Sequence, residues 1–221
     1  MKRIPEPELM NTPEQARAYA GADFSEPHNM FVEKFNECFP GEAVENFVLD
    51  LGCGPADISI RFAKAHPDCK IHGIDGAQQM LLIGQSAINR AGLSDRIQVL
   101  QGFIPDLELP EPNYSTIISN SLLHHLHHPD VLWSCIKQYS TANTRIFIMD
   151  LIRPDSPEVA KKLVDIYACE EPEILRQDFF NSLCAAFVPE EVAGQLHTAG
   201  ISSLNVEVIS DRHMVIYGRI L

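Results

Sequence analysis

The sequence predicts an α/β fold: a mostly parallel, seven-stranded open sheet with an antiparallel last strand, helices on both faces and a small helical cap. Three observations predict it. Short apolar runs alternate with helical stretches from residue 46 to residue 151, the pattern of a parallel sheet covered on both sides. Two more strand-like runs, 204–209 and 214–220, close the chain and are near enough to pair as an antiparallel hairpin. Between them, residues 154–187 carry more helix than a simple crossover needs.

The elements follow in order. Thr12-Pro13-Glu14-Gln15 supplies an N-cap, a Pro at the first helical position and a capping-box Gln. A second helix starts near Ser25, because Phe31, Phe35, Cys38 and Phe39 recur at helical spacing, and Pro40-Gly41 ends it. Phe47-Val48-Leu49-Asp50-Leu51 is a buried strand that runs into a tight turn at Gly52-Cys53-Gly54. A helix from Asp57 to His66 stops at Pro67, and Lys70–Asp75 is the second strand. Ala77–Ala91 is a helix closed by Gly92, with Met80, Ile83, Ala87 and Ala91 on one stripe. Ile97–Leu100, Thr116–Ser119 and Arg145–Asp150 are strands three to five, with a helix over Val131–Tyr139. Helices over Ser156–Tyr167 and Glu173–Phe187 make the surplus, and Pro189–Thr198 is a crossover helix closed by Gly200.

Composition narrows the function. The 221 residues fit one domain with a substantial core. Thirty acidic against seventeen basic residues give a net charge of −13, which repels nucleic-acid backbones and anionic lipid at long range. Nucleic acid and membranes are therefore poor fits as partners. The N-terminus lacks an apolar leader, and no run approaches the ~18 apolar residues of a membrane span. Six scattered cysteines without a CxxC pair read as reduced thiols, so a cytoplasmic location is expected. Oligomeric state is not legible.

The turn after the first strand carries the chemistry. Glycines at 52 and 54 let the backbone bend sharply and approach a ligand at the strand's carboxyl end. A GxG turn alone also serves dinucleotide enzymes. Asp50 just before the turn, and Asp57 where a dinucleotide fingerprint has its third glycine, both oppose a pyrophosphate; Asp50 suits a ligand bearing ammonium and sulfonium groups. Asp75 ends the second strand about twenty residues on, the spacing at which a carboxylate reaches a ribose diol.

Asp50-x-Gly52-x-Gly54-x-Ala56 resembles motif I of class I S-adenosylmethionine-dependent methyltransferases of the small-molecule, Rossmann-like type, with Ala replacing the commonest third Gly. Gly73-Ile74-Asp75-Gly76 followed by Met80-Leu81 resembles their motif II. The resemblance covers roughly residues 46–151, and the closing hairpin 203–220 agrees with the family topology. It implies S-adenosylmethionine as cofactor and a small-molecule acceptor, with Asp50, Gly52, Cys53 and Gly54 at the cofactor's methionine end. Asp75 and Gly76 would sit at the ribose, and Met80 and its neighbours at the adenine. After strand three the family often has Gly-Asp; here stands Gly102-Phe103-Ile104, so Phe103 can pack the base while backbone near Ile104, or Asp106, replaces the missing acceptor. Asn120 and Ser121, in Ser119-Asn120-Ser121-Leu122-Leu123-His124-His125, resemble motif IV, near the transferring methyl. The Asn/Asp-Pro-Pro-Tyr signature of amino-methylating members is absent.

The resemblance implies one domain over 1–221, with a cofactor core at 46–151. The N-terminal helical segment 9–39 and the insert 154–187 would form an acceptor lid. His124 and His125 are the candidate catalytic residues, as base or acceptor-orienting groups, at a sheet end where open α/β folds bind ligands. Asp150 and Arg153 lie at the same level, and Arg153 is a candidate clamp for an acceptor carboxylate. His124-His125-Leu126-His127-His128 invites a metal reading, yet Pro129 disfavours helical spacing and no Cys or carboxylate lies within four residues upstream, so no metal is expected. Three other readings stay open: an enzyme that modifies the cofactor or transfers another group from it, a nicotinamide dehydrogenase, and a non-catalytic interaction module.

Overall fold

The computed structural model describes residues 1–6 and 12–221, the side chain of Gln15 excepted. The capping-box role expected of Gln15, and the first residues of segment 9–39, therefore lie outside the described set. Seven strands run through the described residues: β1 (Asn46–Leu51), β2 (Cys69–Asp75), β3 (Ile97–Gln101), β4 (Thr116–Asn120), β5 (Arg145–Leu151), β6 (Asn205–Val208) and β7 (His213–Arg219). They form one sheet in the order β3-β2-β1-β4-β5-β7-β6. Strands β1 to β5 are parallel, and β7 lies antiparallel between β5 and β6. The closing hairpin thus enters the sheet by its second strand and leaves β6 as the edge.

The helices are α1 (Pro13–Gly21), α2 (Ser25–Cys38), α3 (Asp57–Ala65), α4 (Gln78–Ala91), α5 (Asp130–Tyr139), α6 (Pro157–Tyr167), α7 (Glu173–Ala185) and α8 (Pro189–Ala199). Gly92 and Gly200 close α4 and α8 in the left-handed conformation, as their positions after the last apolar residue imply. The Ser156 side chain caps α6. Helix α7 stops at Ala185, two residues short of the sequence expectation, because Phe187 pairs with Ile152 as an extended bridge at the end of β5.

Alternation along the strands builds two cores. Val48, Ile71, Ile118, Phe147 and Val215 face Phe31 and Phe35 of α2, Phe62 of α3 and Ile88 of α4. Leu49, Leu51, Ile117, Ile146, Ile148 and Ile216 face Trp133 and Ile136 of α5 and Val192 and Leu196 of α8. Both faces are buried, so the strands read as nearly continuous apolar runs. A smaller cluster joins the end of β5 to α6 and α7 through Leu151, Leu163, Val164 and Leu183. Helix α1 packs against α4 and α7, and α7 also meets a short 3-10 turn, Leu123–His125.

Strand order reverses between β1 and β4. Connections leaving the carboxyl ends of these two strands diverge to opposite faces, which opens a crevice there. Register sets Leu51 beside Ser119 and Ile74, so the glycine turn, Asp75 and Asn120 reach the crevice together. No helix among the described residues is long and apolar enough to cross a membrane.

Candidate active site

A cavity of about 570 Å³ fills the crevice, within the size range of small-ligand sites. Fourteen of the candidate residues line it: Asp50, Gly52, Cys53, Gly54, Asp75, Gly76, Met80, Gly102, Phe103, Ile104, Asn120, Ser121, His124 and His125.

The glycine turn is built from the backbone outward. The amides of Gly52 and Cys53 both donate to the Ile74 carbonyl, at 2.8 and 3.0 Å. Gly52 has φ +73°, which favours glycine, and a Cβ there would press to 3.0 Å on the Leu122 side chain, which would have to shift. Ala56, where the family usually has a third glycine, takes φ +65°, a left-handed conformation that Ala adopts at some cost. Asp57 opens α3 and binds His28 at 2.6 Å and Arg61 at 2.7 Å. Burial opposes its charge, but those two partners hold its carboxyl below the usual range.

Asp75 organises the neighbouring loop. One carboxylate oxygen accepts from the Gly54 amide at 2.8 Å and the other from the Ala77 amide at 2.7 Å. The second bond is a local turn just ahead of α4, so the residue serves the backbone while still facing the cavity. Burial raises its pKa, and the two amides restrain the rise. Asp50, on the same strand face as Val48, is 1% exposed and accepts from Ser59 of α3. Burial pushes its carboxyl up to about 7, against the Ser59 bond and with a further push from Asp75. At the end of β4, the Asn120 side-chain oxygen is buried and has no hydrogen-bond partner among the described residues.

The base end differs from one expectation. Phe103 is half exposed at the cavity rim beside Gly102 and Ile104. Asp106 is exposed and lies off the cavity wall, because Leu107 turns inward to cover Gly102 in its place.

On the other side the histidines meet a carboxylate pair. His124 Nδ1 lies 2.6 Å from Asp150 Oδ1. Asp150 also accepts the amides of Leu123 and Leu151, each at 2.7 Å. Burial works against both charges; even so, the pair raises the pKa of His124 and lowers that of Asp150. Beyond the ring stands Glu6, with Oε1 3.6 Å from His124 Nε2 and 3.3 Å from His125 Nδ1. Ser182 of α7 donates to the same oxygen at 3.0 Å. The N-terminal residues hold Glu6 there. Arg3 donates to the carbonyls of His124, Leu126 and Ala185 and stacks on Phe187, and the Ile4 amide bonds Cys184.

Arg153 is committed elsewhere. It is buried, pairs with both oxygens of Glu191 and bonds the Ala186 carbonyl, off the cavity wall. The cation that does line the cavity is Arg212, stacked 3.3 Å over the Tyr167 ring. Beside it burial holds His213 down to about 4. Neither residue, nor Glu6 and Ser182, carries a motif; Arg212-His213 at the start of a strand, where apolar residues are usual, was the one available sign.

Residues 48–141 match a family model described as a methyltransferase domain. A probable fatty acid methyltransferase of Pseudomonas putida is 24% identical over 144 residues, 62% of this chain and 36% of that protein. The mouse U6 snRNA (guanine-N(2))-methyltransferase THUMPD2 is 37% identical over 73 residues, 33% of this chain and 14% of that protein. The chain thus spans about a third or less of these curated relatives. Among solved structures, the plantazolicin methyltransferase BpumL in complex with SAH superposes with a TM-score of 0.71 at 16% identity, covering 94% of this chain and 91% of that one. That likeness confirms the fold read from the sequence.

Proposed function

We propose that this chain transfers a methyl group from S-adenosylmethionine to a small-molecule acceptor, a reading supported by the match of residues 48–141 to a methyltransferase domain. One observation carries the reading: the glycine turn, Asp75 and the unpartnered Asn120 oxygen line a single cavity at the strand-order switch. The residues fit the cofactor. Asp75, with both oxygens already aimed by amides, accepts the ribose hydroxyls. Gly54 lets the backbone come close, and the Asn120 oxygen accepts from the amino-acid end, which Asp50 also attracts. Met80 and Phe103 flank the base.

Bound S-adenosylmethionine supplies a methyl group already activated by its sulfonium, so the protein's work is orientation and exclusion of water. His124, locked by Asp150, and His125 orient the acceptor. The N-terminal helices and residues 154–187 form the acceptor lid over one domain, 1–221. The net charge of −13 favours a small acceptor over nucleic acid, and six free thiols accord with a cytoplasmic setting.

Calorimetry with S-adenosylmethionine, its demethylated product and NAD tests the reading. Saturable binding of the first two is expected; NAD binding without either would overturn it. Hydrogen exchange tests the lid: α1, α6 and α7 are expected to gain protection with bound product, and unchanged exchange in all three would refute it.

A further inference from the structure

We propose that Glu6, His124 and His125 form a binding site for one divalent first-row transition ion of the zinc class, set in the acceptor wall of the cavity. Each residue offers one donor atom, and the three atoms lie within 4.8 Å of one another. Two of the separations are 3.3 and 3.6 Å. An ion bound tetrahedrally at about 2.0–2.1 Å from imidazole and carboxylate donors needs them about 3.4 Å apart. Two nitrogens and one oxygen suit zinc, iron or manganese; magnesium and calcium prefer all-oxygen sets.

The surroundings are those of a metal site. The far nitrogen of His124 is fixed by Asp150, whose own oxygens are held by two amides. Such a carboxylate behind a histidine orients the ring and strengthens it as a ligand. Ser182 orients Glu6 in the same way. Without an ion, a single proton can join only one nitrogen to the Glu6 oxygen at a time; an ion joins all three donors. The carboxylates of Glu6, Asp150 and Asp178 act on this spot against Arg3, so the local field favours a cation.

Three protein ligands leave coordination positions open, and two of them, His124 and His125, line the cavity. An acceptor with an anionic oxygen or a chelating oxygen pair fits the open positions and would be held with that atom near the transferring methyl. The acceptor class rests on the proposed methyl transfer; the ion site does not.

The test uses the full chain, stripped with a chelator and titrated with Zn²⁺ alone, with bound metal counted by elemental analysis. One ion per chain is expected. Glu6→Gln and His125→Gln should each weaken binding at least tenfold, and Asp150→Asn about 10- to 100-fold. His197→Gln, on the exposed face of α8, should leave it unchanged. Cobalt in place of zinc should give visible absorption that His125→Gln abolishes. Circular dichroism and binding of the demethylated cofactor show whether each variant folds. Absence of saturable binding to the stripped chain, or equal binding by a folded Glu6→Gln, His125→Gln double variant, would overturn the site. Metal binding without cofactor binding would leave the site standing and remove the methyltransferase reading; cofactor binding without metal would do the reverse.

Discussion

The two halves of the cavity are made in different ways. The β1–β3 half, which would hold the cofactor, comes from three consecutive strand ends and the turns that follow them, within residues 50–104. Its frame is largely backbone: the amides of Gly52 and Cys53 donate to the Ile74 carbonyl and that of Gly54 to the Asp75 carboxylate, which fixes the turn. The β4–β7 half, which would face the acceptor, draws His124, Tyr167, Ser182 and Arg212 from four separate stretches of chain, with Glu6 behind His124. Its working groups are side chains. A wall made by one local loop depends on neighbours along the chain; a wall made by distant side chains can change one residue at a time.

The largest test of this contrast is Gly52→Val. A β-branched residue at φ +73°, with Leu122 at 3.0 Å from its Cβ, should cost about 3–5 kcal/mol of stability and abolish cofactor binding, read by thermal unfolding and calorimetry. Ordinary affinity in this variant would mean that the turn does not cradle the ligand.

Next in size is Asp50→Asn. A folded-state pKa raised from 3.8 to about 7 means that ionisation opposes folding. The Asn variant should therefore be more stable than the parent, by on the order of 3 kcal/mol above pH 7. That advantage should fade as pH falls through the window from 7 to about 4, where the parent carboxyl is neutral in the folded state, and should vanish below it. Denaturant titrations at pH 8 and pH 4 measure the difference; a gap independent of pH would refute the burial argument. Affinity for S-adenosylmethionine should fall at the same time, since the anionic partner for its ammonium is gone.

Asp75→Ala should weaken cofactor binding by about 1–3 kcal/mol. It should also cost about 1 kcal/mol of stability, because the Gly54 and Ala77 amides lose their acceptor. Unchanged affinity by calorimetry would place the ribose elsewhere.

The smallest expected effect sharpens the contrast from the other side. Arg212→Gln removes the cation stacked on Tyr167, yet should change affinity for the demethylated cofactor by less than twofold, while acceptor turnover drops. A large loss of cofactor affinity would show that the two halves are not separable.

The pattern of alternating strand and helix, the glycine turn, Asp75 and the Asn120-Ser121 segment were all legible in the sequence, because each depends on neighbours a few residues away. Periodicity reports burial, a GxG reports a backbone that must turn and approach, and an acidic strand end reports a fixed distance from that turn. The stretch upstream of His124–His128 carries no nearby carboxylate of its own; Glu6 arrives from 118 positions upstream of His124, held by Arg3 and Ile4. Asp106 and Arg153 were plausible by position along the chain, but Leu107 covers Gly102 and Glu191 claims the guanidinium.

What the sequence determined by itself is the layered sheet and the half of the cavity built from local backbone geometry. What only the tertiary structure decided is which remote side chains close the other half: Glu6 against two histidines, Ser182 behind it and Arg212 on Tyr167. The physical reason lies in range. Backbone turns and strand periodicity are set by contacts along the chain. Convergence of charged side chains is set by the packing of α1, α6 and α7 over the sheet, and no local pattern records it.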